Sequence, residues 1–578
     1  MALQYGQHSL LNFQTRIMEN NPENTFEYAP LSTEHAHPIR LLSLLPSSDF
    51  NAEIKCEIFN TSLEDNPNFE ALSYTWGDPK NLIPILLHGR PHQITRNLES
   101  ALRHLRLPDQ TRVLWVDAMC INQSDIPERN QQVSKMRDIY TVGGAQKVVV
   151  WLGRINNAQL GLDFCSKMAK EQPAFVLRLG DEVEWEACHD IFIRNPWWSR
   201  AWIVQEVVHT NKVVFHMGDS VSIPFESLSK KLEIYQSRAH LRRKTWNLAD
   251  EEVQKIVRPL EQDWPALVAG VRRNREYPSI ISNLREELNS SPPLNQYLPG
   301  LLIRFREQKA IDFHDKIYAF RCMAFDHPSR NNIPVNYELS KQEIYTIATR
   351  ACIRKNLTFL LLVESNQKPI FGMSELASWV PDFTTTQDFA QYFNVACTAK
   401  FNASKGFPVV EKEPRLLDSL HCKILPLRGI YVATITGIFE TRITDDVDLV
   451  GYDGVKLIRY SENPQLRTRD FSKFPPTPWQ TCDIETGSAV VSHNNTSWGP
   501  IFSQVGDIIL VVAGSMLPIV LRMFEEGKYL FVGACILIER EIENILKFEV
   551  DPGFSDIMYG RVCEGLSDGY EAEIFNIY

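Results

Sequence analysis

Lys147-Val148-Val149-Val150-Trp151-Leu152 carries five consecutive apolar residues, the pattern of a strand covered on both faces. Upstream of it, Pro127 sits at a first-turn position with Ser124 or Asp125 as cap, and predicts a helix that turns Val133, Met136, Ile139 and Tyr140 inward. Further upstream, Val113 to Val116 (VLWV) reads as a strand ending at Asp117. Ile94 to Leu107 reads as an amphipathic helix with Ile94, Leu98, Ala101, Leu102 and Leu105 on one stripe. Phe69 to Tyr74 (FEALSY) reads as a short buried strand that runs into the turn Thr75-Trp76-Gly77-Asp78-Pro79, and Ile39 to Phe59 alternates as strand-like material. Downstream, Trp198 to Val208 is expected as a helix and Lys212 to His216 as a strand. Strands alternating with helices imply a mostly parallel sheet with helices on both sides, in which ligands bind at the carboxyl ends of the strands. Tyr74 to Gly77 and Asp117 to Gln123 both fall at such ends.

The chain has 578 residues, too many for one core. Its composition, 44% apolar and 23% charged, suits folded domains. We divide it into a loose lead-in (1–40), an α/β module (41–225), a helical, charged stretch (226–307) and a mixed α and β remainder (308–578). A formal net charge of -11 argues against nucleic acid as a partner. The basic stretch Arg238 to Lys244 is flanked by acidic residues and reads as a solvated helix face. The 11 cysteines are scattered, without Cys-x-x-Cys pairs or zinc-ligand spacing to histidine, so buried reduced thiols are expected and no metal site. The polar N-terminus shows no secretory signal, and the apolar run Ile508 to Leu521 is broken by Gly514, Ser515 and Pro518. These features lead us to expect a cytoplasmic protein without a membrane span.

Three blocks look unlike generic core: Ala71 to Gly77 (ALSYTWG), Leu114 to Gln123 (LWVDAMCINQ) followed by Glu128, Gln132, Met136 and Tyr140, and Trp197 to Glu206 (WWSRAWIVQE). Together, in order and spacing, they resemble the fungal HET (heterokaryon incompatibility) family. Asp315 to Ala319 (DKIYA), Val335 to Tyr337, Ser378 to Asp382, Gly506-Asp507 with Pro518 to Arg522, and Gly565 to Glu571 resemble elements found downstream in such proteins. The resemblance implies a TIR-like (flavodoxin-like) module and a role in self/non-self recognition, in which the module triggers programmed cell death. By analogy with TIR enzymes it also implies NAD as a substrate, no bound cofactor, and protein partners or self-association. The alternative it leaves open is a non-enzymatic TIR-like module that self-associates or recruits partners.

On a continuous helix, Trp198, Trp202 and Glu206 would share one face, with the carboxylate in a dry setting. Glu206 then has two readings: a catalytic group that stabilises an oxocarbenium-like centre, or a structural carboxylate paired with Arg200. Ser73, Tyr74, Trp76 and Gly77 are candidate ligand contacts, as are Asp117, Asn122, Gln123, Arg200 and Trp202. The bland readings are core packing for Trp202, a cap for Asp117 and loop bracing for Asn122 and Gln123. Cys120 has no histidine in a suggestive relation and reads as a packed thiol. No Gly-x-x-x-x-Gly-Lys or Gly-x-Gly-x-x-Gly element follows a strand.

Overall fold

In the computed structural model the described residues are 26–32, 34–141, 144–170, 182–210, 212–218, 220–232, 234, 298–324, 333–353, 376–384, 424–439, 455–462, 496–500, 503–512, 518–534, 536–537 and 573–578. They form two compact units, Met1–Glu338 and Leu339–Tyr578. Most of the stretch 226–307, expected from composition to be helical, lies outside the described residues. The basic stretch Arg238 to Lys244 and the segment Gly565 to Glu571 lie outside the described residues.

The first unit begins with β1 (Pro38–Leu44), β2 (Lys55–Ser62), β3 (Glu70–Tyr74), β4 (Leu82–Leu87) and β5 (Arg90–Thr95). Helix α1 (Arg96–Leu105), β6 (Arg112–Trp115), α2 (Asp117–Cys120), α3 (Ile126–Tyr140) and β7 (Lys147–Trp151) follow. After them come α4 (Ala158–Lys170), α5 (Glu182–Phe192), α6 (Ile203–Val208), β8 (Val213–Met217), β9 (Val221–Pro224), α7 (Leu298–Arg304) and α8 (Asp315–Arg321). The nine strands form one sheet in the order β5-β4-β2-β1-β6-β3-β7-β8-β9.

The fold is α/β, as the alternation predicts. Parallel pairing is confined largely to the centre, where β6, β3, β7 and β8 all run the same way. Numbered among themselves they stand in the order 2-1-3-4, that of a flavodoxin-like open sheet. The flanks make the sheet mixed rather than mostly parallel, because β1–β2, β1–β6, β4–β5 and β8–β9 are antiparallel. The β4–β5 hairpin turns through His88 and Gly89 at φ of 50° and 74°, the paired positive values of a tight two-residue turn.

Local rules explain the central elements. Thr95 accepts from the backbone N–H of Leu98 to start α1, and Asp125 accepts from Glu128 at 3.0 Å to start α3, with Pro127 in its first turn. The inward stripe of α1 buries Leu98, Ala101, Leu102 and Leu105. Val148, Val149 and Val150 of β7 are fully buried, as a strand covered on both faces must be.

The second unit contains α9 (Lys341–Ile353) and a sheet in the order β13-β14-β15-β17-β10-β11-β12-β16. Its strands are β10 (Leu425–Phe439), β11 (Val455–Glu462), β12 (Thr496–Pro500), β13 (Ile508–Val512), β14 (Ile519–Glu525), β15 (Lys528–Ala534), β16 (Ile536–Leu537) and β17 (Glu573–Ile577). The long strand β10 pairs with both β17 and β13, which closes β10, β13, β14, β15 and β17 into a ring. A side chain at Gly429, where those two partners meet β10, would press within 2.9 Å of Val512. Sequence elements that lie far apart come together here: Arg522 forms a two-pronged pair with buried Asp507 at 2.8 and 2.9 Å, and Ser378 accepts from the Phe531 N–H at 2.8 Å. Among the described residues no helix is long and apolar enough to cross a membrane.

Candidate site at the carboxyl edge of the sheet

The registers Glu70↔Leu114 and Glu70↔Lys147 align the carboxyl ends of β3, β6 and β7. Continuing the β3–β6 offset brings Asp117, two residues past the end of β6, level with Ser73. The three sequence blocks therefore meet at one edge.

At the inner end, the Ser73 hydroxyl donates to Glu206 and accepts from the Trp197 indole N–H at 2.9 Å. Arg200 reaches the two oxygens of the same carboxylate at 3.2 and 3.3 Å. Glu206 is only 1% exposed. The pairing of Glu206 with Arg200, one of the two readings of the sequence, is thus present. Trp197 is fully buried and packs edge-on against Trp198 and Phe215.

The expected helix from Trp198 to Val208 is not continuous. Pro196–Ser199 form a separate 3-10 turn, Arg200 is extended, and α6 starts only at Ile203. The break has a cause: the backbone at 199–201 pairs with a neighbouring segment instead of with itself, as Ala201 N–H donates to the Lys309 carbonyl at 2.9 Å and Lys309 N–H to Ser199. Trp198 consequently does not share a helix face with Glu206. Its indole donates to the Ile191 carbonyl. Trp202 and Glu206 remain one turn apart, yet the Trp202 indole hydrogen-bonds Asp315, not the Glu206 cluster.

At the outer end, the Trp76 indole N–H donates to Asp117 at 2.7 Å, and both residues keep partial exposure. Burial is the main reason the Asp117 carboxyl is pushed up to about 6, with Glu206 adding to it; Arg200 and Trp76 pull the other way. The Tyr74 phenol is fully buried and faces the Asp117 carboxylate. Burial and then the Asp117 charge hold it well above the usual tyrosine range. Gly77 takes φ 83°, where a Cβ would also crowd Asn97 at 3.3 Å.

Asn122 and Gln123 brace the loop: Gln123 donates to the Asp117 carbonyl at 3.0 Å, and Asn122 accepts from the Ser124 N–H at 3.3 Å. Cys120 is fully buried, accepts from the Val116 N–H, and is pushed up to about 12 by burial, which leaves an inert thiol.

Arg40 was not legible as part of this region. Its two terminal nitrogens grip Glu128 at 2.5 and 2.8 Å and the carbonyls of Cys120 and Ala29, while Glu128 also takes the Asn122 N–H at 2.7 Å. An arginine inside the apolar alternation of PIRLLSL was the available signal. The Asp315 element also gains a role. Asp315 accepts from the Tyr337 hydroxyl at 2.6 Å as well as from Trp202, and Lys316 ties down the carbonyls of Arg306 and Gln308 beside the segment that pairs with residues 199–201. Arg129 lies 3.5 Å over the Tyr337 ring and pairs with Asp312 at 3.0 Å. Among the described residues no group of three His, Cys, Asp or Glu side chains could hold a metal ion.

Comparisons with known proteins bear on this same stretch. The heterokaryon incompatibility protein (HET) family matches residues 69–206, which run from the start of β3 through Glu206. Heterokaryon incompatibility protein 6, OR allele, of Neurospora crassa is 36% identical over 179 residues. That similarity covers 28% of this chain and 25% of the relative, so it reports on the module and not on the whole of either protein. No solved structure matches the chain. With its three sequence blocks gathered at one edge of the sheet and matched along their whole span, the stretch at residues 69–206 is similar to the HET family.

Proposed function

We propose that this is a heterokaryon-incompatibility protein of the cytoplasm whose HET module is a TIR-like effector of cell death that cleaves NAD, with Glu206 as the catalytic carboxylate. The observation that carries the reading is the placement of Glu206: a buried carboxylate at the carboxyl edge of a 2-1-3-4 parallel sheet, held by Ser73 and Arg200. In the reaction the bond between ribose C1′ and the nicotinamide nitrogen breaks, and its electron pair leaves with the ring as neutral nicotinamide. Water then forms the new bond to C1′ and releases a proton. A desolvated carboxylate stabilises the oxocarbenium-like centre between these events. Arg200 must swing off Glu206 for the substrate to approach, and as the more exposed partner, at 18% against 2%, it is the one free to do so.

One observation favours the second reading, a non-enzymatic module that self-associates or recruits partners: both oxygens of Glu206 are already engaged. Nicotinamide release decides between them. The concentrated full-length protein should release nicotinamide from NAD, and Glu206→Gln should lower the rate by about 100-fold or more while the circular dichroism spectrum stays unchanged. Cell killing by Glu206→Gln equal to that of the unaltered protein would overturn the catalytic reading.

A further inference from the structure

The outer half of the site has a charge imbalance that Glu206 does not explain. Arg200 is bound two-pronged to Glu206, and it is also the cation that acts most on Asp117. Two carboxylates thus share one guanidinium. Asp117 keeps its position by accepting from the Trp76 indole and from the Ala118 N–H, neither of which carries a charge. Independently, the Tyr74 hydroxyl is buried at the same place and faces Asp117, which leaves its remaining hydrogen-bonding capacity for a ligand atom or a displaced water. The indole is partly exposed, and the chain that follows it, Gly77 to Lys80, is exposed.

We propose that Trp76, Asp117 and Tyr74 form a subsite for a planar organic cation of the N-substituted pyridinium class. This deepens the reading of the preceding subsection and rests on it for the choice of ring. The indole supplies an aromatic face, which attracts a flat cation through the ring quadrupole. The carboxylate at its edge supplies the opposite charge, and the phenol supplies a donor for an amide oxygen on the ring. The same arrangement disfavours the uncharged ring, because a neutral ligand would desolvate Asp117 without compensating it. Cleavage that turns a cationic ring into a neutral one would then also eject the product.

The titratable and charged groups that face Asp117 among the described residues are Arg200 and Glu206 from the third block, Tyr74 from β3, Tyr140 from α3 and Cys120 from its own loop. With the Asp117 carboxyl at about 6, cation binding should weaken as pH falls through that value, whereas nicotinamide binding should not.

The test uses the unaltered full-length protein titrated calorimetrically with two probes that cannot be hydrolysed, N-methylnicotinamide cation and neutral nicotinamide. The cation should bind about tenfold tighter at pH 7.5. Asp117→Asn should bring the ratio close to one, and Trp76→Leu should weaken the cation more than the neutral ring. If Asp117→Asn fails to fold, the pH series on the unaltered protein serves instead: the ratio should fall between pH 7.5 and 5. Equal affinities for the two probes, or a preference independent of both pH and Asp117, would overturn the proposal. Cation preference without any NAD cleavage would leave this subsite standing and remove the glycohydrolase reading. NAD cleavage with no cation preference would do the reverse.

Discussion

Two buried arginine–glutamate pairs flank the same sheet edge, and they are built differently. Arg40 and Glu128 meet at 2.5 and 2.8 Å, with side-chain exposures of 1% and 10%. The remaining donors on Arg40's terminal nitrogens go to backbone carbonyls, and the Tyr28 ring lies 4.8 Å from its guanidinium carbon. Arg200 and Glu206 meet at 3.2 and 3.3 Å, with the arginine 18% exposed. The first pair cannot move without breaking several bonds at once. The second keeps its cation at the mouth of the site. Equal residue types therefore do unequal jobs: Arg40–Glu128 braces the loop that carries Asp117, and Arg200–Glu206 is a latch over the carboxylate.

The contrast can be broken by removing one partner from each pair. Arg40→Met should be the most damaging, lowering stability in urea unfolding by about 3–5 kcal/mol, because Glu128 loses its counter-charge inside the protein. Arg200→Met should cost less, about 1–3 kcal/mol, since solvent can reach part of the vacated space. If the two variants unfold at the same urea concentration, the distinction between brace and latch fails. Trp197→Phe removes the indole donor to Ser73 together with part of a buried ring, and should cost about 1–3 kcal/mol in the same assay.

The smallest effect concerns Asp117. Its carboxyl holds a proton more tightly when folded, so its ionisation opposes folding. That penalty is present in full above about pH 6 and disappears as pH falls to the ordinary carboxylate range near 3.8. Stability should therefore drop as pH rises from about 4 to 6, by no more than about 1 kcal/mol once partial exposure is allowed for. Asp117→Asn should flatten that slope, and an unchanged slope would place the titration elsewhere.

Much of the centre was legible because local rules and tertiary structure agree there. Val148 to Val150, the stripe of α1 and the Asp125 cap of α3 each follow from a pattern within a dozen residues. The β4–β5 hairpin was not, since Pro84 and Pro91 read as strand breakers and His88-Gly89 is a weaker turn signal than Asn-Gly. The helix expected from Trp198 failed for a non-local reason: Lys309, more than a hundred positions away, takes the backbone bonds that a helix would have used. Spacing within one block could show that Arg200 and Glu206 were able to pair. Only the fold brings Ser73 and Trp197 to that pair, and places Trp202 on Asp315 instead.

The most direct test of the account is the rate of nicotinamide release from NAD by the full-length protein beside its Glu206→Gln and Glu128→Gln variants, each scaled to the folded fraction. Glu206→Gln should lose about 100-fold or more, and Glu128→Gln should keep near-normal turnover per folded molecule. Equal turnover in all three, or none in the unaltered protein at any concentration, would contradict this expectation.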